Sequence, residues 1–483
     1  MNSQINIHSG NWIISVFKTG KWYILSSIFT KGIGLLLLPI YTRYLSPSDY
    51  GILNTLTSIA QIIPIFLSLY LDSAFGRFYH DIKHDNEKLK DLFSTVYWFV
   101  AIWGGLVLIG TLCTAPLWTR HFVQVPFFYI ALALVPTLFL QIAQLGIIFL
   151  RQSLDSKRTT FLDISTALIS IFITLPLLMF FNLGVLARLI GAIFPAVFLF
   201  IYYTWFFSSR GLLGFRFDRE SIKRCLFYSV PMIPNITAGW IASLSDRLVL
   251  AKFANQEAVG LYSLAMNFAM LMYMAQDAVT QVTGPLQMSG LIHDKDNTKR
   301  KMAGMSLLLL AGMLTADLAL TLFSTEVTRI FATKSYAGAA SIIGICGFAY
   351  VLSCQYRLFT DVVSYHKKTW VISSGGILMA VVSLVANLSL VPRFGYNACA
   401  FSFVFATFVY TLWLYIWAQS VEHIDFLWGR AGLLFIMFIA GMIAAHNIDK
   451  ITLFTITEKI CILAGFGFTS FLLTKDKIGK SFS

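Results

Sequence analysis

The chain has 483 residues, 57% hydrophobic and only 12% charged, against about 25% charged in soluble domains. With a mean hydropathy of +0.73, this excludes a soluble domain on one anchor and specifies a polytopic membrane protein. The net charge of +13 is spread over short loops, as the cytoplasmic bias of Lys and Arg requires, which argues against a nucleic-acid partner.

Residues 1–19 are too polar for a cleavable signal and lack a small-residue cleavage site after an apolar stretch, so the first spanning helix is the insertion signal. That helix, within the apolar run Trp22–Tyr41, carries Lys31 about ten residues from each end. At ~1.5 Å per residue its ammonium group falls near the middle of a ~30 Å hydrocarbon core. Insertion there costs roughly 2.5–3.5 kcal/mol, so such a lysine faces a partner or a water-filled cavity. Its two readings are a structural ion pair and a cationic contact for an anionic substrate.

Further apolar runs follow at 51–71, 92–112, 127–150, 161–181, 185–207, 226–250, 258–288, 303–324, 337–360, 370–390, 397–418, 429–447 and 453–473. The pattern predicts an all-α polytopic membrane protein of about fourteen transmembrane helices. With both termini cytoplasmic, inside loops hold about 24 Lys and Arg and outside loops about 9, the asymmetry that sets orientation. The longest breaks, near 72–91 and 208–225, read as charged and unpatterned, and no break holds a folded soluble domain.

The chain repeats itself at one offset. LSPSDYGI (Leu45–Ile52) follows the first helix and FANQEAVGL (Phe253–Leu261) the seventh; each loop carries an acid just before a glycine that opens the next helix. Lys157-Arg158-Thr159 precedes the fifth helix and Lys367-Lys368-Thr369 the eleventh, and Gly184 and Gly395 begin the sixth and twelfth. The spacing of about 209–211 residues predicts an N-lobe (1–210), a C-lobe (211–425) of the same orientation, and a terminal helix pair (426–483). Parallel repeats of this kind are related by an axis along the membrane normal, with the substrate path between them.

Several ionisable residues fall inside spans. Asp277 lies within the eighth helix near Gln276 and Asn267; it is a candidate for ion coupling or for neutralising Lys31. Asp317, in the ninth, is a second coupling candidate, though its position nearer the outer end favours a structural role. Asp246 and Arg247 are adjacent and should project about 100° apart on a helix without pairing, so that one lines a lumen while the other reaches the interface. Arg357 and Asp361, four apart, fit a gate or latch. The six cysteines show no paired spacing and read as small core residues. No nucleotide-binding loop, paired-carboxylate site or metal cluster is recognisable, so neither an enzyme nor a metal or cofactor site is expected.

The stretch PIYTRYLSPSDYGIL (Pro39–Leu53) resembles the first-loop motif of the O-antigen and polysaccharide flippases of the multidrug/oligosaccharidyl-lipid/polysaccharide exporter superfamily. LYLDSAFGRFY (Leu69–Tyr79) resembles their second-helix end, and Ser245-Asp246-Arg247 with Val259-Gly260-Leu261-Tyr262-Ser263 their second-repeat motif. The resemblance implies two six-helix lobes around a cavity lined by helices one, two, seven and eight, with Lys31, Arg247 and Asp277 facing it and Asp246 beside them. It implies an undecaprenyl-diphosphate-linked oligosaccharide as substrate, flipped outward across the bacterial inner membrane, with glycosyltransferases and a polymerase of the same pathway as partners. A cationic lumen suits a diphosphate. Two alternatives stand beside this: a cation exporter of the same superfamily, which favours an acidic first lobe, and a polysaccharide polymerase or ligase, which needs a long outer loop.

Overall fold

The computed structural model describes residues 22, 29–30, 32–34, 36–122, 125–153, 155–446 and 453–482. Among them there is no strand, and eleven helices are long and apolar enough to cross a membrane. The described residues fall into two compact units: Met1–Leu45 with Ile52–Trp240, and Ser46–Gly51 with Ile241–Ser483.

The first unit begins with α1 (36–44) and continues through α2 (Pro47–Ser68), whose first turn as far as Gly51 belongs to the second unit, α3 (Leu71–Ile82), α4 (Asn86–Phe122), α5 (Phe127–Gln152), α6 (Ser156–Met179), α7 (Val185–Ser209) and α8 (Arg219–Ser229). Its core is aromatic: Phe75, Phe93 and Phe207 are fully buried, and the Phe93 and Phe207 rings lie 3.9 Å apart. Two of its helices occupy the breaks that read as unpatterned. In α3 the buried residues Leu71, Ala74, Phe75 and Tyr79 follow helical spacing, a stripe too short for a membrane span and masked by surrounding charge. In α8 the Asp218 carboxylate accepts from the backbone N–H groups of Glu220 and Ser221, an N-cap in the usual sense.

The expected seventh span, 226–250, is broken. The chain passes from α8 through a 3₁₀ turn at Val230–Met232 into α9 (Ile233–Phe253). Pro231 and Pro234 remove backbone donors at this break.

The second unit holds α10 (Gln256–His293), α11 (Lys295–Leu322), α12 (Ser324–Phe331), α13 (Ala340–Tyr365), α14 (Thr369–Phe394), α15 (Tyr396–Val421), α16 (Trp428–His446) and α17 (Leu453–Phe482). Residues 428–482 are not set apart in it: Leu434, Phe438 and Phe466 share a core with Leu314, Leu318 and Val351.

The loop signatures of the repeat lie one turn further into the helices than expected. Helix α2 starts at Pro47 because Ser46 and Asp49 cap each other: the Ser46 hydroxyl accepts from Asp49 N at 3.1 Å, and Asp49 Oδ2 accepts from Ser46 N at 3.1 Å, a capping box. Helix α10 starts at Gln256, where Asn255 Oδ1 accepts from Ala258 N at 2.8 Å. The acids and glycines therefore sit within the first turns.

Equivalent positions of the repeat then behave alike. A Cβ at Gly51 would lie 1.7 Å from Gln256 O, and one at Gly260 would lie 1.9 Å from Pro47 O. Gly51 and Gly260 differ by 209 positions, as do Pro47 and Gln256, so the contact is reciprocal. Gly184 (φ 53°, ψ −124°) and Gly395 (φ 57°, ψ −138°) open α7 and α15 in one left-handed conformation, a region that residues with a Cβ avoid. Arg158 lies 5.1 Å from the centre of the Phe206 ring and Lys368 lies 5.7 Å from that of Trp417.

Each unit also carries a charge clasp at its basic end, with the signs reversed. Arg216 Nη1 reaches Glu87 Oε2 at 2.6 Å and Asp91 Oδ1 at 3.1 Å, at the start of α4. At the start of α11 the bases are Lys295 and Lys299, both paired with Glu422 just beyond α15; His366 Nε2 lies 3.4 Å from Glu422 Oε2. Acids suit a helix N-terminus and lysines oppose it; at α11 the Asp294 cap and Asp296 in the first turn share with Glu422 the task of offsetting Lys295 and Lys299. Burial works against the Glu422 carboxylate, but hydrogen bonds from Lys295 and Lys299 outweigh it and hold its pKa below the ordinary value. A lowered folded-state pKa stabilises above the unfolded value and loses that contribution as pH falls through the folded one. Glu422→Gln is therefore expected to cost about 1 kcal/mol at neutral pH, the scale of charges opposing a helix dipole. The gap from wild type should close under acid; thermal melts across pH check this.

Candidate functional site

The candidate residues that the structure gathers lie inside the second unit. Asp246 and Arg247, on α9, are 7% and 9% exposed, and they do pair, contrary to the 100° argument. Arg247 Nη1 reaches Asp246 Oδ1 at 2.9 Å and also donates to Ser243 O at 3.0 Å. The arginine side chain is long enough to fold back along its own helix, whereas the angle between Cβ vectors describes only short side chains. The same Oδ1 accepts from Arg247 N at 2.8 Å. Tyr262, fully buried on α10, donates its hydroxyl to Asp246 Oδ2 at 2.5 Å, and the guanidinium sits 5.5 Å from the centre of the Tyr262 ring.

This triad is self-contained. A buried ion pair holds only when hydrogen bonds satisfy what desolvation takes away, and here both carboxylate oxygens are engaged. An anion reaching Arg247 would compete with Asp246 for the guanidinium edge, which is suited to planar oxyanions such as carboxylate and phosphate. Tyr262 lay within a recognised motif; its partnership with Asp246 depends on packing between α9 and α10, which spacing does not reveal.

Between α10 and α13 runs a polar seam. Gln276, 1% exposed, accepts from Ser353 Oγ at 2.6 Å through its Oε1, while Arg357 Nη2 donates to the Tyr273 hydroxyl at 3.4 Å. Arg357 and Asp361 do not pair within 4.0 Å; the arginine reaches across to α10, and the Asp361 carboxylate faces Gly284 of α10, 3.7 Å from where a Cβ there would stand. The hydrogen bond of Arg357 thus runs from helix to helix. Asp277 is half-buried on α10. Asp317, on α11, is fully buried with neither oxygen hydrogen-bonded; its Oδ1 fills the space that a Cβ at Gly347 would take. Lys31 lies outside the described residues.

One buried pair escaped the sequence reading. Lys459, 5% exposed on α17, holds Glu326 Oε1 of α12 at 2.6 Å. A lysine within an apolar run was a signal of the same kind as Lys31, and its partner sits on a short helix that hydropathy does not mark. A groove of about 430 Å³ lies between α11 and α17, lined by small and hydroxyl residues such as Ala311, Gly312, Thr315, Gly467 and Ser470, and none of the ionisable residues above lines it.

Comparison with known proteins places this arrangement. The chain is 21% identical over 383 residues to the Lsg locus putative protein 1 of Haemophilus influenzae, covering 78% of this chain and 92% of that protein. An uncharacterized membrane protein of the same organism is 23% identical over 383 residues, at 77% and 90% coverage. The fold is similar to that of the lipid II flippase MurJ in an inward closed conformation, with a TM-score of 0.73 at 14% identity over 94% of this chain and 99% of that one. It is also similar to an inward-facing multidrug resistance MATE family transporter of the MOP superfamily, with a TM-score of 0.66 at 14% identity over 82% and 94%. The family described as polysaccharide biosynthesis protein matches residues 16–286, more than half of the chain. The chain belongs to this polysaccharide biosynthesis family of multi-pass membrane proteins.

Proposed function

We propose that the protein is a flippase that moves undecaprenyl-diphosphate-linked oligosaccharide repeat units from the cytoplasmic to the periplasmic leaflet of a bacterial inner membrane, by alternating access, for surface polysaccharides such as O-antigen. The observation that carries this reading is the family match over residues 16–286 on a polytopic helical chain. The likeness to a protein named as a lipid II flippase supports a lipid-borne substrate.

In this reading both termini are cytoplasmic, glycosyltransferases supply the substrate and a polymerase consumes it. The repeat runs as an N-lobe of 1–210, a C-lobe of 211–425 and a helix pair of 426–483. Lys31 and Arg247 contact the diphosphate through charge-assisted hydrogen bonds; Asp246 holds Arg247 until the substrate competes for it. Asp277 and Asp317 carry the coupling ion, because a carboxyl group at membrane depth binds and releases a cation as its surroundings change. Arg357 and Asp361 tie α13 to α10 as a latch. The cation-exporter alternative draws on the MATE likeness, which covers less of this chain at a lower TM-score.

Lys31→Ala is expected to lose at least tenfold in flipping rate in proteoliposomes while expression and thermal stability hold. That is the scale of one charge-assisted contact, about 1.5–3 kcal/mol. Unchanged transport by this variant would remove Lys31 from the mechanism.

A further inference from the structure

Between α7 and α9, outside the eleven helices apolar enough to cross a membrane, the chain exposes three phenylalanines: Phe215 at 93%, Phe227 at 85% and Phe217 at 54%. Large exposed apolar groups of this kind mark an interaction site. The segment is held in place. Ser94 Oγ donates to Leu212 O at 3.2 Å and accepts from Gly214 N at 2.9 Å; Trp98 Nε1 donates to Gly214 O at 2.9 Å, and Thr95 Oγ1 accepts from Asp218 N at 2.9 Å. Phe215 stacks on Trp98 with ring centres 4.8 Å apart.

These anchors fix its depth. The charged first turns of α4 end at Asp91, and its apolar run starts at Leu92. The loop is therefore pinned beside the level where α4 enters the hydrocarbon layer, the level at which aromatic side chains gather in membrane proteins.

Helix α8 adds the charge. Ile222, Cys225 and Ser229 are buried, while Glu220, Lys223, Arg224 and Phe227 are exposed at positions i, i+3, i+4 and i+7 of one stripe. Arg224 lies 4.6 Å from the centre of the Phe78 ring. Arg224 is exposed, and a guanidinium offers N–H donors suited to oxyanions.

We infer that the 215–228 segment is a lipid-docking surface: Phe215, Phe217 and Phe227 enter the interface of the leaflet at the basic end of this unit, while Lys223 and Arg224 bind the phosphates of anionic lipids there. Free phosphate would use the charge but leave the phenylalanines in water. The level of the loop on α4, its basic stripe and its exposed rings all fit the same occupant.

The test uses the full-length protein with Cys113→Ser and Cys461→Ser, labelled with a polarity-sensitive fluorophore at Phe227→Cys and, separately, Phe217→Cys. It is reconstituted in nanodiscs of phosphatidylcholine alone or mixed with phosphatidylglycerol. The inference expects blue-shifted emission, quenched by nitroxide lipids, in the mixed discs. It also expects a shift towards aqueous emission in phosphatidylcholine alone or with Lys223→Gln/Arg224→Gln. Aqueous emission in both lipids, lipid contact indifferent to phosphatidylglycerol and to the double substitution, or burial appearing only on adding a soluble protein would each overturn it.

Discussion

Arg247→Ala is expected to destabilise the protein by about 3–5 kcal/mol, the cost of leaving one member of a buried ion pair uncompensated. The stranded group is Asp246, 7% exposed and still receiving the Tyr262 hydroxyl. Thermal unfolding of the purified variant measures this directly. The double variant Asp246→Asn/Arg247→Gln removes both charges and should regain most of the lost stability, because no charge is then left buried without its partner and the amides still offer hydrogen bonds. Flipping should not return with it, since the guanidinium that the diphosphate would contact is gone. Recovery of transport in the double variant would show that the pair serves the fold alone. An Arg247→Ala protein that melts with wild type would show that the ion pair is not buried.

Gly51→Val should be the other severe substitution. A Cβ there meets Gln256 O at 1.7 Å and the Gln256 carbonyl carbon at 2.7 Å, so backbone must move. Overpacking of this kind costs about 1–3 kcal/mol, and more where the obstacle is backbone. The displaced segment is the Ser46–Gly51 portion of the second unit, including Tyr50, whose hydroxyl accepts from Asn267 Nδ2 at 2.6 Å and whose ring meets Tyr336 edge-on at 6.1 Å. Gly260→Val should have a similar effect, because its Cβ meets Pro47 O in the mirror contact. The two losses should not add, since either one opens the same crossing. Thermal melts of the two single variants and the double variant decide it, and a fully additive double would mean that the two glycines act in separate places.

What sequence reading captured follows from which physical signals are local. Hydropathy over some twenty residues marks a span without reference to anything else, so most helices were legible, while the polar ends of α4, α11 and α17 run beyond the apolar runs that mark them. Helix α3 was not, because twelve residues with five charged or titratable side chains average to a polar segment, and its apolar stripe counts only once there is a core to face. The repeat was legible because the chain solves the same turn twice: the conformation shared by Gly184 and Gly395 leaves a glycine in both places. The clasps were hidden because their partners, Arg216 for Glu87 and Glu422 for Lys295, come from distant segments, and spacing along the chain does not connect them. Asp246 and Arg247 were found by charge, but their geometry was misjudged because arginine reaches further than its Cβ direction suggests. Tyr262 and the partner of Lys459 come from neighbouring helices, and no spacing within one helix encodes a contact between two.

Movement of a diphosphate-borne oligosaccharide across a bilayer separates the proposed flippase from a cation exporter. The most direct measurement is transbilayer movement in proteoliposomes of the purified protein, using a fluorescent polyprenyl-diphosphate oligosaccharide and, in parallel vesicles, a lipophilic cation. The account expects protein-dependent translocation of the diphosphate-linked lipid and none of the cation. Efflux of the cation with no movement of the diphosphate-linked lipid would contradict it.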